Sequence, residues 1–154
     1  MLIRLTPAEA VALAAMGGAA LPPVITSVTA DDDTIRVTAD LRRLDDLPGA
    51  LKLAARLAPV VRADVRVLRF AAPTATLGVD VNASGLPARR LLGLLSAPIA
   101  AALRRKGLPP DAVTIESDGV VVADVAALLV PVLPGLDVTR LAVEKGELVV
   151  EASA

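Results

Sequence analysis

The sequence predicts an α+β fold: repeated antiparallel β-hairpins, about eight strands in all, with helices between them. Three observations carry this. Three Leu-Pro steps each lead into a β-branched stretch, a tight-turn signal and a second β-branched stretch. A further pair of segments alternates between apolar and polar residues. Between the pairs, apolar residues recur at helical spacing.

The chain starts with a helix signal. Thr6-Pro7-Ala8-Glu9 reads as a capping box with proline at the first helical position. The helix would run through Ala10–Met16 and stop at Gly17-Gly18. This apolar stretch also looks like a secretory signal, but Glu9 sits badly in such a core, so a short soluble helix and a cytoplasmic location are expected.

The first hairpin spans residues 21–39: Leu21-Pro22-Pro23, then Val24–Thr29, the acidic turn Asp31-Asp32-Asp33 and Ile35–Ala39. The second copy spans residues 108–124, with Ser117-Asp118-Gly119 as its turn. The third spans residues 133–152, with Glu144-Lys145-Gly146 as its turn. Proline biases its predecessor to extended structure, and Asp-Gly and Lys-Gly are hairpin turn pairs. A fourth hairpin without the Leu-Pro step pairs Asp64–Phe70 with Thr74–Asn82 across Ala71–Pro73. In its second strand Ala75, Leu77, Val79 and Val81 face one way while Thr76, Gly78, Asp80 and Asn82 face the other, as in a sheet with one buried face.

Two helices fall between hairpins. Pro48–Ala58 places Leu51, Ala54, Ala55 and Ala58 at helical spacing and is expected to be packed on most sides. Pro87–Lys106 carries the stripe Leu91, Leu95, Ile99 and Leu103. Pro98 should kink or break it, with Ser96 capping a restarted second half. Arg104-Arg105-Lys106 complements the helix dipole and Gly107 terminates it. Val125–Leu136 is a charge-free apolar segment before the last hairpin. With no Gly/Ser-rich or charged linker, residues 1–154 read as a single α+β domain with internal hairpin repeats.

Composition narrows the function. The 154 residues are 55% hydrophobic and 1% aromatic, Phe70 being the one aromatic, and His and Cys are absent. That excludes an imidazole base, a Ser-His-Asp relay, a thiolate nucleophile and His- or Cys-ligated metal. Sixteen basic and seventeen acidic residues leave a net charge of −1, so no long-range field attracts nucleic acid. No aromatic platform accompanies the arginines for single strands to stack on. Mean hydropathy is high, at +0.65. Even so, Leu91–Leu103 and Val125–Leu136 fall short of the roughly 20 residues a transmembrane helix needs.

The remaining polar clusters read as surface chemistry. Asp31-Asp32-Asp33 lacks the spacing of a cation loop, and Asp45-Asp46 resembles loop and cap residues. Glu116 and Asp118 run into a turn, not a paired carboxylate site. Arg89-Arg90 and Arg104-Arg105-Lys106 read as caps and solvated charges, Gly17-Gly18 is no phosphate loop, and Lys52, Lys106 and Lys145 lie in no pattern that depresses a pKa. No catalytic set, metal or cofactor is expected.

The C-terminal copy carries a family resemblance. Leu133-Pro134-Gly135-Leu136, Val138-Thr139-Arg140-Leu141-Ala142-Val143, the Gly146 turn and Leu148-Val149-Val150-Glu151-Ala152 resemble the closing hairpin of small bacterial lipid-binding proteins related to the tubular lipid-binding superfamily. The resemblance covers mainly residues 133–152. It implies a curled antiparallel sheet wrapped on a long helix, with an apolar groove for acyl chains. The chain departs from that pattern in being short and in lacking a convincing export signal, and no binding residue carries over.

The expected function is noncatalytic binding of a lipid-like molecule. The expected groove sets Leu91, Leu95, Ile99 and Leu103 against Leu77 and Val79, so that Leu95→Arg should abolish uptake. The same six residues would equally serve as the core of such a fold. The alternative is a structural or assembly subunit that self-associates through edge strands and an apolar patch. The expected partners are accordingly a lipid or other apolar small molecule, or a second copy of the chain in a homo-oligomer.

Overall fold

The structure, a computed structural model, describes residues 1–18, 20–44, 49–83, 86–87 and 89–154, with the backbone alone for residues 50, 51, 54, 86, 87, 89–91 and 117. It is α+β, with two antiparallel sheets. The smaller has the order β1-β10-β9, formed by Leu2–Leu5, Glu147–Ser153 and Asp137–Glu144. The larger has the order β2-β3-β4-β5-β8-β7, formed by Ile25–Asp31, Thr34–Asp40, Val60–Ala71, Thr74–Ala83, Val120–Asp124 and Val113–Ile115. The short β6, Leu86–Pro87, pairs with β5. Each of the four expected hairpins is present. The strands exceed the expected eight because the short β1 and β6 add to them.

The turns form where the sequence places turn chemistry. Lys145 and Gly146 both take positive φ, 53° and 77°, as a tight two-residue hairpin loop requires. Asp118 and Gly119 do the same in the β7–β8 connection, and Asp32 does so between β2 and β3. Residues with short polar side chains, and glycine, reach this region at the lowest cost.

The register aligns one apolar face across the whole larger sheet. Val28 pairs with Val37, Val37 with Ala63 and Ala63 with Val81. The next row runs Ala30, Ile35, Val65 and Val79. Beyond them Val67 meets Leu77, Leu77 meets Val121, and Val121 meets Ile115. A bulge at Leu68 shifts the β4–β5 register yet keeps Phe70 opposite Ala75 on this face. The opposite face carries Arg36, Arg62, Asp64, Arg66 and Asp80, with Arg36 Nε donating to Asp64 Oδ1 at 3.0 Å.

Helices cover part of the apolar face. Leu41, Ala55, Val61, Val81, Ala83, Leu92 and Val121 form the buried core, bringing α2 (Gly49–Leu57) and α3 (Arg89–Leu94) onto the sheet. Asp40 positions Leu41: its carboxylate accepts from the Arg42 backbone N–H and so caps the 3-10 turn Leu41–Arg43. The helix α2 is less enclosed than its spacing predicts. Ala55 is buried, but Lys52, Leu53, Arg56 and Leu57 are exposed.

The long helix is broken, three residues ahead of its proline. The helix α3 ends at Leu94, and α4 runs Ser96–Arg105 with Leu95 at the joint. Ser96 is the first helical residue of α4, and no side-chain bond caps this end. A proline in the first turn forfeits no intrahelical bond, so breaking at Leu95 accommodates Pro98 without strain. The first bond of α4 is Ile99 N–H to Leu95 C=O, at 2.9 Å. Val125–Leu129 forms a short helix, α5, whose Ala127 N–H donates to the Asp124 side chain at 3.0 Å. Among the described residues, no helix is long and apolar enough to cross a membrane.

Candidate functional site

The remaining helix, α1 (Pro7–Met16), lies where the two sheets meet. Its capping box is complete: Glu9 N–H donates to Thr6 Oγ1 at 3.3 Å, and Thr6 N–H donates to Glu9 Oε2 at 2.8 Å. The preceding β1 ties the start of the helix to β10, with Leu5 opposite Leu148. The two sheets also touch at their turns, where Gly146 N–H donates to Asp32 C=O at 2.8 Å.

Under α1 is a half-open cleft of about 190 Å³. Its roof is Pro7, Ala10, Val11 and Ala14, the i, i+3, i+4, i+7 face of the helix. Its floor is the β2–β3 end of the large sheet's apolar face, the half-buried Val28 and Ala30 of β2 and Ile35 of β3. Leu148 of β10 and Leu21 of the α1–β2 connection close the sides. All of these side chains are apolar, and among the described residues no titratable group lines the cleft.

Such a site can offer burial and shape, without directed hydrogen bonds or charge. Its volume is comparable to the roughly 150 Å³ apolar cavity that accepts benzene, and smaller than the roughly 300–1,000 Å³ of pockets for drug-sized ligands. The segment that fits in it is therefore a short hydrocarbon one. Each methylene it takes out of water contributes roughly 0.8 kcal/mol.

Of the six residues expected to form the groove, the five whose side chains are described, Leu77, Val79, Leu95, Ile99 and Leu103, do not line this cleft. Leu77 and Val79 are half-buried and pack against the core cluster. Leu103 is buried, at 9% exposure, while Leu95 and Ile99 are half-buried on α3–α4. The side chain of Leu91 lies outside the described residues. The residues that do line the cleft carried a legible signal in the helical spacing of Pro7, Ala10, Val11 and Ala14. What the sequence could not supply was the opposing surface, which comes from strands in both sheets.

The polar clusters lie elsewhere. Asp31, Asp32 and Asp33 are exposed at the β2–β3 turn, and Asp33 Oδ1 accepts from the Thr34 hydroxyl at 3.0 Å. Glu116 and Asp118 are exposed around the β7–β8 turn, and Arg104, Arg105 and Lys106 at the end of α4. Asp45 and Asp46 lie outside the described residues, as do the side chains of Arg89 and Arg90. On the outer face of the small sheet, Arg140 bridges Glu144 and Glu151, and Arg4 bridges Glu144 and Glu147, around the fully buried Val149. Among the described residues, no group of three or more carboxylates is placed to hold a metal ion. Arg42 holds the Asp40 carboxyl below its usual range, chiefly by side-chain hydrogen bonds from Nε and Nη2 at 3.0 and 2.9 Å.

Comparison of the chain with family models, curated proteins and solved structures found no match.

Proposed function

We propose that the chain is a noncatalytic binding protein that holds the end of an apolar, lipid-like molecule in the cleft beneath α1. The observation that carries this reading is the wholly apolar lining of a cleft roofed by a helix with no buried residue. A helix as apolar as α1, in which Glu9 is the one charged residue, is ordinarily enclosed. Here its inner face borders a cleft, while Leu13 and Met16 are 50% and 85% exposed. Burial of about four to six carbons would give binding in roughly the millimolar range from that segment alone.

Native mass spectrometry of protein purified without detergent tests the reading. A monomer carrying extra mass that organic solvent removes supports it. A bare monomer that also fails to take up added octanol contradicts it.

A second reading, an assembly subunit, is favoured by the exposed large apolar residues of Val125–Leu136, Val130 and Leu133, at 59% and 45% exposure. The same spectrum separates the two, because assembly predicts bare multiples of the chain mass.

A further inference from the structure

We propose that α1 is a lid, hinged at its capped start and latched at its end by Gly17 against Val132. This rests on the cleft being a binding site and adds how that site opens.

The two ends of α1 are held differently. At the start, the Thr6–Glu9 capping box and the β1–β10 pairing fix the helix to the small sheet. At the end, Gly17 abuts the segment after α5 so closely that a β-carbon there would stand 2.6 Å from Val132 Cγ1. Past this contact Gly18 takes φ of +84°, and Ala20–Val24 forms neither helix nor strand. The far end thus runs into irregular chain before the next hydrogen bonds, at Pro22 and Val24, and Gly17 sits tightly against Val132.

The packing of α1 suits a part that moves. It contains no buried residue, and its roof face is small, with Ala10 and Ala14 flanking Val11. Lifting the helix thus breaks little packing, consistent with the low local stability of elements that gate binding sites. Movement also resolves the mismatch in size. The closed cleft takes only a short hydrocarbon segment, and raising the Met16 end opens the floor of Val28 and Ile35 to a longer chain.

The absence of native cysteine makes a direct test simple. Spin labels on Ala12→Cys and Thr29→Cys, both exposed positions, report the distance from α1 to the large sheet. Gly17→Ala should unseat the latch, shifting the distance distribution longer and speeding uptake of a neutral naphthylamine dye. Adding Val132→Ala makes room for the new methyl and should return both readings to those of the parent. An unchanged distribution in Gly17→Ala, or a shift that Val132→Ala fails to reverse, overturns the lid. The two proposals fail separately. A reversible shift without dye or octanol binding in any variant leaves the lid standing and removes the ligand reading. Dye binding with fixed distances does the opposite.

Discussion

A β-carbon on Gly119 would stand 2.5 Å from the carbonyl oxygen of Val79. The turn between β7 and β8 therefore closes directly onto the backbone of β5, and Gly119 also takes φ of +75°. Two separate demands converge on one glycine, and neither can be relieved by rotating a side chain. Gly119→Ala should cost about 2 kcal/mol or more, combining the left-handed penalty with a backbone collision. Its urea midpoint should fall well below that of Gly49→Ala, where a β-carbon would meet nothing within 4 Å.

The core makes a sharper demand than the surface. Leu92 is 7% exposed within the central cluster, whereas Leu57 on α2 is 76% exposed. Leu92→Ala should destabilise by about 2–5 kcal/mol through lost burial and the cavity left behind, while Leu57→Ala should change stability by under about 0.5 kcal/mol. Chemical denaturation of both variants checks the contrast.

Asp40 introduces a dependence on acid. Hydrogen bonds from Arg42 hold its carboxyl below the ordinary value of 3.8 in the folded chain. The ionised form thus favours folding, and its contribution is fully present above pH 3.8. That contribution is lost as pH falls through the lower folded-state value. Asp40→Asn should be less stable than the parent near neutral pH, with the gap narrowing well below pH 3.8. Denaturant midpoints at the two pH extremes measure the gap, and a constant difference would contradict the assignment.

Substitutions at the cleft separate it from the Leu-stripe groove. Ala14→Arg places a charge in the apolar roof and should abolish uptake of the naphthylamine dye while leaving the fold intact, because no α1 residue is buried. Leu95 does not line the cleft, so any folded Leu95→Arg protein should bind the dye like the parent. Loss of binding in Leu95→Arg with retention in Ala14→Arg would move the site to α3–α4.

Much of the fold was legible because it is local. The Thr6–Glu9 box, the turns at Asp32, Gly119 and Gly146 and the alternation of β5 each rest on residues a few positions apart. Hairpin pairing follows directly from such signals. The division into two sheets was not legible, since nothing local says that the last hairpin pairs with Leu2–Leu5 and not with the other strands, and that pairing, four residues long, leaves no periodic mark. Equally hidden was the join of β5 to β8, which extends the apolar face from Leu77 to Val121. The Leu91–Leu103 stripe suits either a groove or a core, because sequence alone cannot distinguish a lining face from a packed one. The cleft leaves no mark in the sequence because its floor and roof come from segments distant in the chain.

Methyl NMR of Ala, Val, Leu and Ile groups during titration with octanol tests the central claim most directly, because it reports where an apolar chain binds. The account predicts shifts concentrated at Ala10, Val11, Ala14, Val28, Ile35 and Leu148. Shifts centred on Leu77, Val79, Leu95, Ile99 and Leu103, or none at saturating octanol, would contradict it.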